Sequence, residues 1–587
     1  MSKPRRLFRF IEVLIFCLPL PAAFLSCAGA PKGTVGKNVQ YAAPESDGGE
    51  MTSLPAVPRK NQGKTFFSHI DGGIMADMEA GSPASLRRAA AAIRRSDSDS
   101  EMAERVLLAV AYRIMKIVWP SERVDWDAPD VPANTPYMGA INSAQNGIYD
   151  TSTGNIDFLA LVLPSLVVVV SDSVGGFFDA SEQALREGLG MRPGSVLVNY
   201  LLGTLYQKNG MPAEALPFFS AAAGAAPECL ETAYSYAVCL ASLGRMEEAR
   251  RAAAALSSRH PSDLAVLKLC AETSFALGDY NAAEEYIARV LQQEPGDLPS
   301  VLFRVRILME KKEYVRAASL LDVYARQDDS SRDYLLLRAQ IQYDWSKNLT
   351  AAVSTIETAL RRFPDDLEVL LFAARLASDS GTSVAGRTVE EYAEAALAVQ
   401  PESARALQYA VEGLVQNGEW QEAYAASSNL LSKDGASLDA VFRHIRICLA
   451  LGRNDEAWNL ISPIYRTNPQ DEEVVQSYIV TMAETGRRQQ ALSLINQLLP
   501  DASSRMKSFL YYRRSFLQAS EGDALSDLRS SLIANPRNSD ALFRLYELYF
   551  QKRDYRKAQY YLKQVVALNP NDAAMRRLND ELSSLIQ

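Results

Sequence analysis

Side chains able to do chemistry are few in this chain, and their spacing argues against most of it. The three histidines, His69, His260 and His444, fall in separate regions, and none stands at a metal-ligand spacing from another. His260 precedes Pro261 and His444 lies on an apolar helical row, so both read as structural. Asp125, Asp127 and Asp130 would offer oxygen ligands to calcium, but the stretch lacks the glycine of a calcium loop and a closing glutamate at the twelfth place. A solvated acidic loop is the expectation. Cys229, Cys239, Cys270 and Cys448 are scattered through helical segments, form no disulfide framework and suit buried packing positions. The reading is of a protein that is not an enzyme, with no cofactor and no metal.

The elements that would position any site are set by an internal repeat. Ala215, Ala249, Ala283 and Ala317 stand 34 residues apart, as do Ala423, Ala457 and Ala491, with Ala524 and Ala558 following. Gly210, Gly244 and Gly278 keep the same period, as do Gly418, Gly452 and Gly486, each five residues before its alanine. Pro227, Pro261 and Pro295 keep it again, and Pro364, Pro401, Pro469, Pro536 and Pro570 mark later unit ends. Glycine closes a first helix in the left-handed conformation, alanine lets a second helix approach closely, and proline ends that second helix. Three residue types locked at one period predict a helical hairpin repeated along the chain.

This pattern resembles the tetratricopeptide repeat, most completely in Asn199, Leu202, Gly203, Tyr206, Ala215, Phe219, Ala222 and Pro227, with Asn199 in place of the family's early tryptophan. The resemblance implies an all-α fold, a right-handed α-solenoid of about 11–12 hairpins over 162–570. The unit ending at Pro401 carries extra residues around Thr382 to Arg387, and Asp329, Gly435 and Ser503 stand where proline is expected. Helix 571–587, with Met575, Leu578, Leu582 and Leu585 on one face, would cap the last unit. The family binds protein segments in the groove lined by first helices. Here that groove would include Tyr200, Tyr234, Lys268, Phe275, Arg306, Tyr334, Arg375, Phe442, Arg446, Phe509, Arg513, Phe543 and Phe550.

Upstream, residues 1–26 read as an export signal: Lys3, Arg5, Arg6 and Arg9 precede an apolar run from Ile11 to Leu25 that Pro19 and Pro21 interrupt. Phe24-Leu25-Ser26-Cys27 resembles the lipobox of bacterial lipoproteins, which implies lipid on Cys27. Residues 27–83 read as a flexible tether, and 84–160 as a helical region with a long loop at 121–155 and a secure helix over 106–118. A capping box is expected at Ser98 and Glu101, and the apolar run 158–170 reads as a buried helix.

At 48% hydrophobic and 22% charged residues the chain has the composition of a folded protein. Its net charge of -9 becomes -12 without residues 1–26, which gives no general attraction for phosphate backbones. The acidic charge and the 34-residue phase also argue against the RNA-binding solenoids of 35-residue period. Two functions fit: a scaffold for protein-protein interactions in a bacterial cell envelope, anchored by lipid on the periplasmic side of the outer membrane, or an accessory lipoprotein that binds a small ligand or solute-binding protein for a transporter. The oligomeric state has no signature in the sequence.

Overall fold

A computed structural model describes residues 66–95, 102–132, 135–149, 157–433, 437–568, 570 and 572–586. The expected export signal, Cys27 and the expected capping box at Ser98 and Glu101 lie outside these residues. The described chain is helical throughout, apart from connections and one isolated antiparallel bridge between Val384 and Arg387. None of its helices is long and apolar enough to cross a membrane. It forms two compact units, one within Ala22–Lys311 and one within Lys312–Gln587.

In the first unit, three helix pairs run in the 34-residue phase: Val196–Lys208 with Pro212–Ala225, Leu230–Ser242 with Met246–Arg259, and Leu264–Ala276 with Tyr280–Gln293, followed by Leu298–Glu310. Each turn places its glycine in the left-handed region, with φ of 75° at Gly210, 73° at Gly244 and 77° at Gly278. Ala215, Ala249 and Ala283 are wholly buried, as close helix approach requires. Gly203 shows how tight that approach is, since a Cβ there would lie 2.6 Å from the Phe219 ring. Asn199, at the family's tryptophan position, is buried and donates to the carbonyls of Ser195 (2.8 Å) and Pro193 (3.2 Å), so its amide is satisfied where a ring would otherwise pack.

The amino-terminal region belongs to the same core. Helix Gly72–Ala80 lies inside the stretch 27–83 that composition assigns to a tether, yet Phe67 and Met78 are buried. Trp119 Nε1 donates to the Gly81 carbonyl at 3.0 Å, and Ser195 Oγ to the Glu79 carbonyl at 2.7 Å. Isolated apolar residues among glycines show no period, so only long-range packing reveals this helix. The segment 121–155 also departs from a plain loop: helix Met138–Gln145 crosses it, with Ile141 and Ala144 wholly buried. Trp126 is buried while Asp125, Asp127 and Asp130 around it are exposed. The apolar run 158–170 is buried over most of its length but breaks into Phe158–Val162, a 3-10 turn Leu163–Leu166 and Val167–Val170, because Pro164 interrupts the α-helical hydrogen bonding.

In the second unit, helix Tyr314–Tyr324 precedes seven further pairs, from Arg332–Gln340 with Leu349–Arg362 to Ser539–Gln551 with Tyr555–Leu568, and Ala573–Ile586 closes the series. On that last helix Met575 and Leu582 are buried and Leu578 packs on the core, whereas Leu585 is exposed, one turn past the last hairpin's cover. Two irregular pairs absorb extra residues. In the first, Ile341–Trp345 takes a π turn, which accommodates one residue beyond the 34-residue phase between Lys312 and Lys347. In the second, the Val384 to Arg387 bridge loops out the residues between Gly381 and the helix Val389–Val399. Ala524, expected to share the buried alanine row, is only half-buried; Leu528 and Ser531 carry the packing of its helix.

First-helix starts share a cap that the proline phase encodes. Two residues after Pro261, Pro364, Pro401, Pro469 and Pro536 stand Asp263, Asp366, Ser403, Asp471 and Asn538, and each side chain accepts from backbone N–H groups of the helix it opens. Where the turn glycine is missing, Lys312, Lys347 and Arg553 take positive φ of 61°, 51° and 62° instead. For an L-residue that conformation is strained. Arg553→Gly, at an exposed site, is therefore expected to raise the stability of the second unit by up to about 1 kcal/mol, read by urea unfolding.

Candidate functional site

The first helices carry the candidate binding residues, and the structure sorts them into two groups. Tyr200, Phe275, Tyr334 and Phe543 are buried. Tyr200 packs 4.8 Å from the Trp119 ring, Phe275 5.3 Å from Phe303, Tyr334 stacks on Tyr324 at 5.8 Å, and Phe543 lies 5.2 Å from Tyr546. These rings serve packing within their units. Tyr234, Lys268, Arg306, Arg375, Phe442, Arg446, Phe509, Arg513 and Phe550 are half-buried and retain a surface.

Charge on this face is arranged as a ladder between consecutive first helices, a feature with no local sequence signature. In the first unit Lys268 Nζ meets Asp297 Oδ2 at 2.7 Å. In the second, Arg332 pairs with Asp366 (3.2 Å), Arg375 with Asp344 (2.7 Å), Arg405 with Glu368 (2.9 Å), Arg443 with Glu412 (2.7 Å) and Arg513 with Glu484 (3.4 Å). The partners stand roughly one repeat apart in sequence, so the repeat itself brings them together. Isolated exposed pairs contribute only about 0–1 kcal/mol each, but Arg443 and Glu412 are nearly buried and hold a stronger mutual claim.

Arg375 occupies the densest part of the ladder. Its guanidinium lies 5.5 Å from the Tyr343 ring and 5.8 Å from Phe372, with Asp344 and Asp379 on its edges. Tyr343 donates to Asp379 at 3.1 Å. Burial pushes the Asp379 carboxyl and the Tyr343 hydroxyl up, with Arg375 opposing both shifts. In the first unit burial likewise pushes the Glu310 carboxyl up, against Tyr280 and Arg306. The first-helix face thus offers fixed, partly desolvated charges beside aromatic edges.

Asp540, on the first helix after that of Arg513, is pushed up to about 6 by burial, against the pull of Arg513 and a hydrogen bond from Ser539. A carboxyl whose folded pKa exceeds its ordinary value binds its proton more tightly when folded, so stability falls as pH rises from about 4 to about 6 and is level above. Asp540→Asn should flatten that decline and leave the second unit about 1–2 kcal/mol more stable than wild type at neutral pH, as urea unfolding at acid and neutral pH would report.

The remaining candidates from the sequence separate widely. His69 is exposed and His260 caps the helix Met246–Arg259. The four described cysteines are free and buried, Cys239 donating to the Pro212 carbonyl at 3.2 Å and Cys270 packing beside Leu256, so no bridge joins them. His444, read as structural, is brought together with Cys448 and Glu456. The signal for this was present: His444 and Cys448 stand four residues apart on one helix, and Glu456 follows just past the turn at Gly452.

Comparison with known proteins agrees with the hairpin geometry. Tetratricopeptide repeat models match residues 206–272, 274–341 and 521–581, and a second such model matches 175–228. The chain is 25% identical over 316 residues to cellulose synthase operon protein C of Xanthomonas axonopodis pv. citri (strain 306), a match that covers 50% of this chain and 20% of that relative. Among solved structures, PilF of Pseudomonas aeruginosa is 21% identical with a TM-score of 0.31, over 37% of this chain and 97% of its own. Yeast Tom70 is 13% identical with a TM-score of 0.34, over 73% of this chain and 96% of its own. With repeat matches in both units, on hairpins whose glycine turns and buried alanines the structure displays, the chain carries tetratricopeptide repeats.

Proposed function

We propose that this chain is a protein-binding scaffold held at a membrane of a bacterial cell envelope by lipid on Cys27, on the periplasmic side of the outer membrane. The observation that carries the binding role is the first helices, which keep Arg375, Arg446, Arg513, Phe442, Phe509 and Phe550 all half-buried. Arginines and aromatic rings held in place by packing lose little entropy on binding and are the usual anchors of protein interfaces. The anchor rests on the basic, apolar and lipobox-like order of residues 1–27. The partial match to a protein of a cellulose synthase operon supports the envelope setting.

Two measurements test the two halves separately. Membrane fractionation of wild type and Cys27→Ser tests the anchor: wild type should sediment with membranes and the variant should not, and equal partition of both would reject it. Cross-linking in the native envelope, with wild type against Arg446→Glu/Arg513→Glu, tests the surface. Loss of specific cross-linked proteins from a variant whose circular dichroism is unchanged supports it, and identical products from both reject it.

A further inference from the structure

Three helices of the second unit, Trp420–Lys433, Leu438–Ala450 and Asn454–Thr467, meet around a group of polar side chains that the repeat does not require. His444 and Cys448 lie one turn apart on the middle helix, so both face the same side, and Glu456 comes from the first turn of the next helix. The nitrogen, sulfur and carboxylate oxygen they offer all lie within 4.8 Å of one another. His444 and Cys448 are buried and Glu456 is half exposed, which leaves a way in from solvent on the carboxylate side.

The hydrogen bonds around the ring orient it for a cation. Ser427 Oγ donates to the Tyr424 carbonyl at 3.1 Å and lies 2.8 Å from His444 Nδ1. With the hydroxyl's proton on that carbonyl, Ser427 accepts from Nδ1–H, and this is the arrangement that leaves Nε2 free for a metal. Nε2 lies 3.4 Å from Glu456 Oε1, to which it donates in the other tautomer. Nε2 and the carboxylate oxygen thus face each other with the Cys448 sulfur beside them. Tyr424 donates to the same carboxylate oxygen at 2.7 Å and steadies it from outside. Arg453, 3.6 Å from the other oxygen and stacked 3.8 Å from the Tyr424 ring centre, covers the far side.

We infer that this cluster is a binding site for a borderline-soft dication of the zinc type, held by His444 Nε2, Cys448 Sγ and Glu456 Oε1, with a fourth position left to solvent. One imidazole, one thiolate and one carboxylate select zinc or cobalt over the hard ions calcium and magnesium. Ligand atoms of a tetrahedral zinc site stand about 3–4 Å apart, so the three must draw together by about 1 Å, within reach of side-chain rotation. Ser427 acts as the outer partner that fixes the ring's tautomer. Binding releases the Cys448 thiol proton to solvent, leaving the thiolate on the metal. The ion would pin the two helices of one hairpin together.

The test is titration of the metal-stripped full chain, under reducing conditions, with Co2+ and then Zn2+. The site predicts one bound Co2+ with a near-ultraviolet thiolate-to-cobalt charge-transfer band and intense tetrahedral visible bands, all displaced by Zn2+. Cys448→Ser should abolish the charge-transfer band, and His444→Gln and Glu456→Gln should each weaken Zn2+ binding by about 10–100-fold or more. Absence of the band in the folded wild type overturns the proposal, as does a band unchanged in Cys448→Ser, which would place the cobalt on another of the chain's six cysteines. Should Cys448→Ser fail to fold, Glu456→Gln decides, because its partly exposed side chain can change without loss of the core; unchanged Zn2+ affinity in that variant rejects the site.

Discussion

Replacing Arg514 by alanine is expected to destabilise the second unit by about 3–5 kcal/mol, because it strands a buried carboxylate. Asp527, on the second helix of its pair, is only 4% exposed. Arg514 meets it in a two-pronged pair, Nη2 to Oδ1 at 2.6 Å and Nε to Oδ2 at 3.0 Å, and Gln518 adds a further donor at 2.6 Å. Once the guanidinium is gone, Gln518 alone cannot replace its charge, and desolvation of Asp527 goes uncompensated. Replacing both residues, as Arg514→Met/Asp527→Leu, should recover most of the loss, since an apolar pair of similar volume suits a buried helix interface. Urea unfolding of Arg514→Met, Asp527→Leu and the double closes the cycle with wild type. If Arg514→Ala costs under about 1 kcal/mol, the pair is solvated in solution and the argument fails.

The second large effect is expected at Tyr392. It holds the place that Ala352 and Ala423 hold in the neighbouring pairs, and it too is wholly buried. Its ring fills space that the other hairpins close by direct helix approach, and its hydroxyl donates to the Val384 carbonyl at 2.8 Å inside the looped-out segment. Tyr392→Ala should cost about 3–5 kcal/mol, as for other large aromatic truncations. Tyr392→Phe keeps the ring and should cost about 1 kcal/mol, the worth of the lost hydrogen bond. Hydrogen exchange separates the two roles: Tyr392→Phe should speed exchange around Val384 and Arg387 alone, and Tyr392→Ala should expose both helices of the pair. Restoring the small residue would then not restore the regular hairpin, because the extra residues before Thr388 still force the helices apart.

The two sites share a cause. Both stand where the repeat deviates, Arg514 in a pair whose alanine row is displaced at Ala524, and Tyr392 after an insertion. A regular unit reaches stability through glycine, alanine and proline at fixed places. An irregular one needs a specific contact to close the same gap, and such a contact carries more energy per residue.

What the sequence alone determined is whatever recurs within one hairpin. The 34-residue phase, the left-handed turns at Gly210 through Gly486, the buried alanines and the unit-ending prolines all depend on residues a few positions apart, and repetition raised them above chance. The aromatic and basic members of the first-helix face were legible as a set for the same reason. The tertiary structure decided which of them are surface. It buried Tyr200, Phe275, Tyr334 and Phe543, paired Lys268, Arg375 and Arg513 with carboxylates on neighbouring helices, and folded Gly72–Ala80 onto the first core. It also gathered Ser427, His444, Cys448 and Glu456 from three helices. Contacts of this kind depend on how one hairpin stacks on the next. A side chain three residues along the same helix leaves a period in the sequence, but a partner across a helix interface leaves none, and there only packing in three dimensions sets which charge meets which.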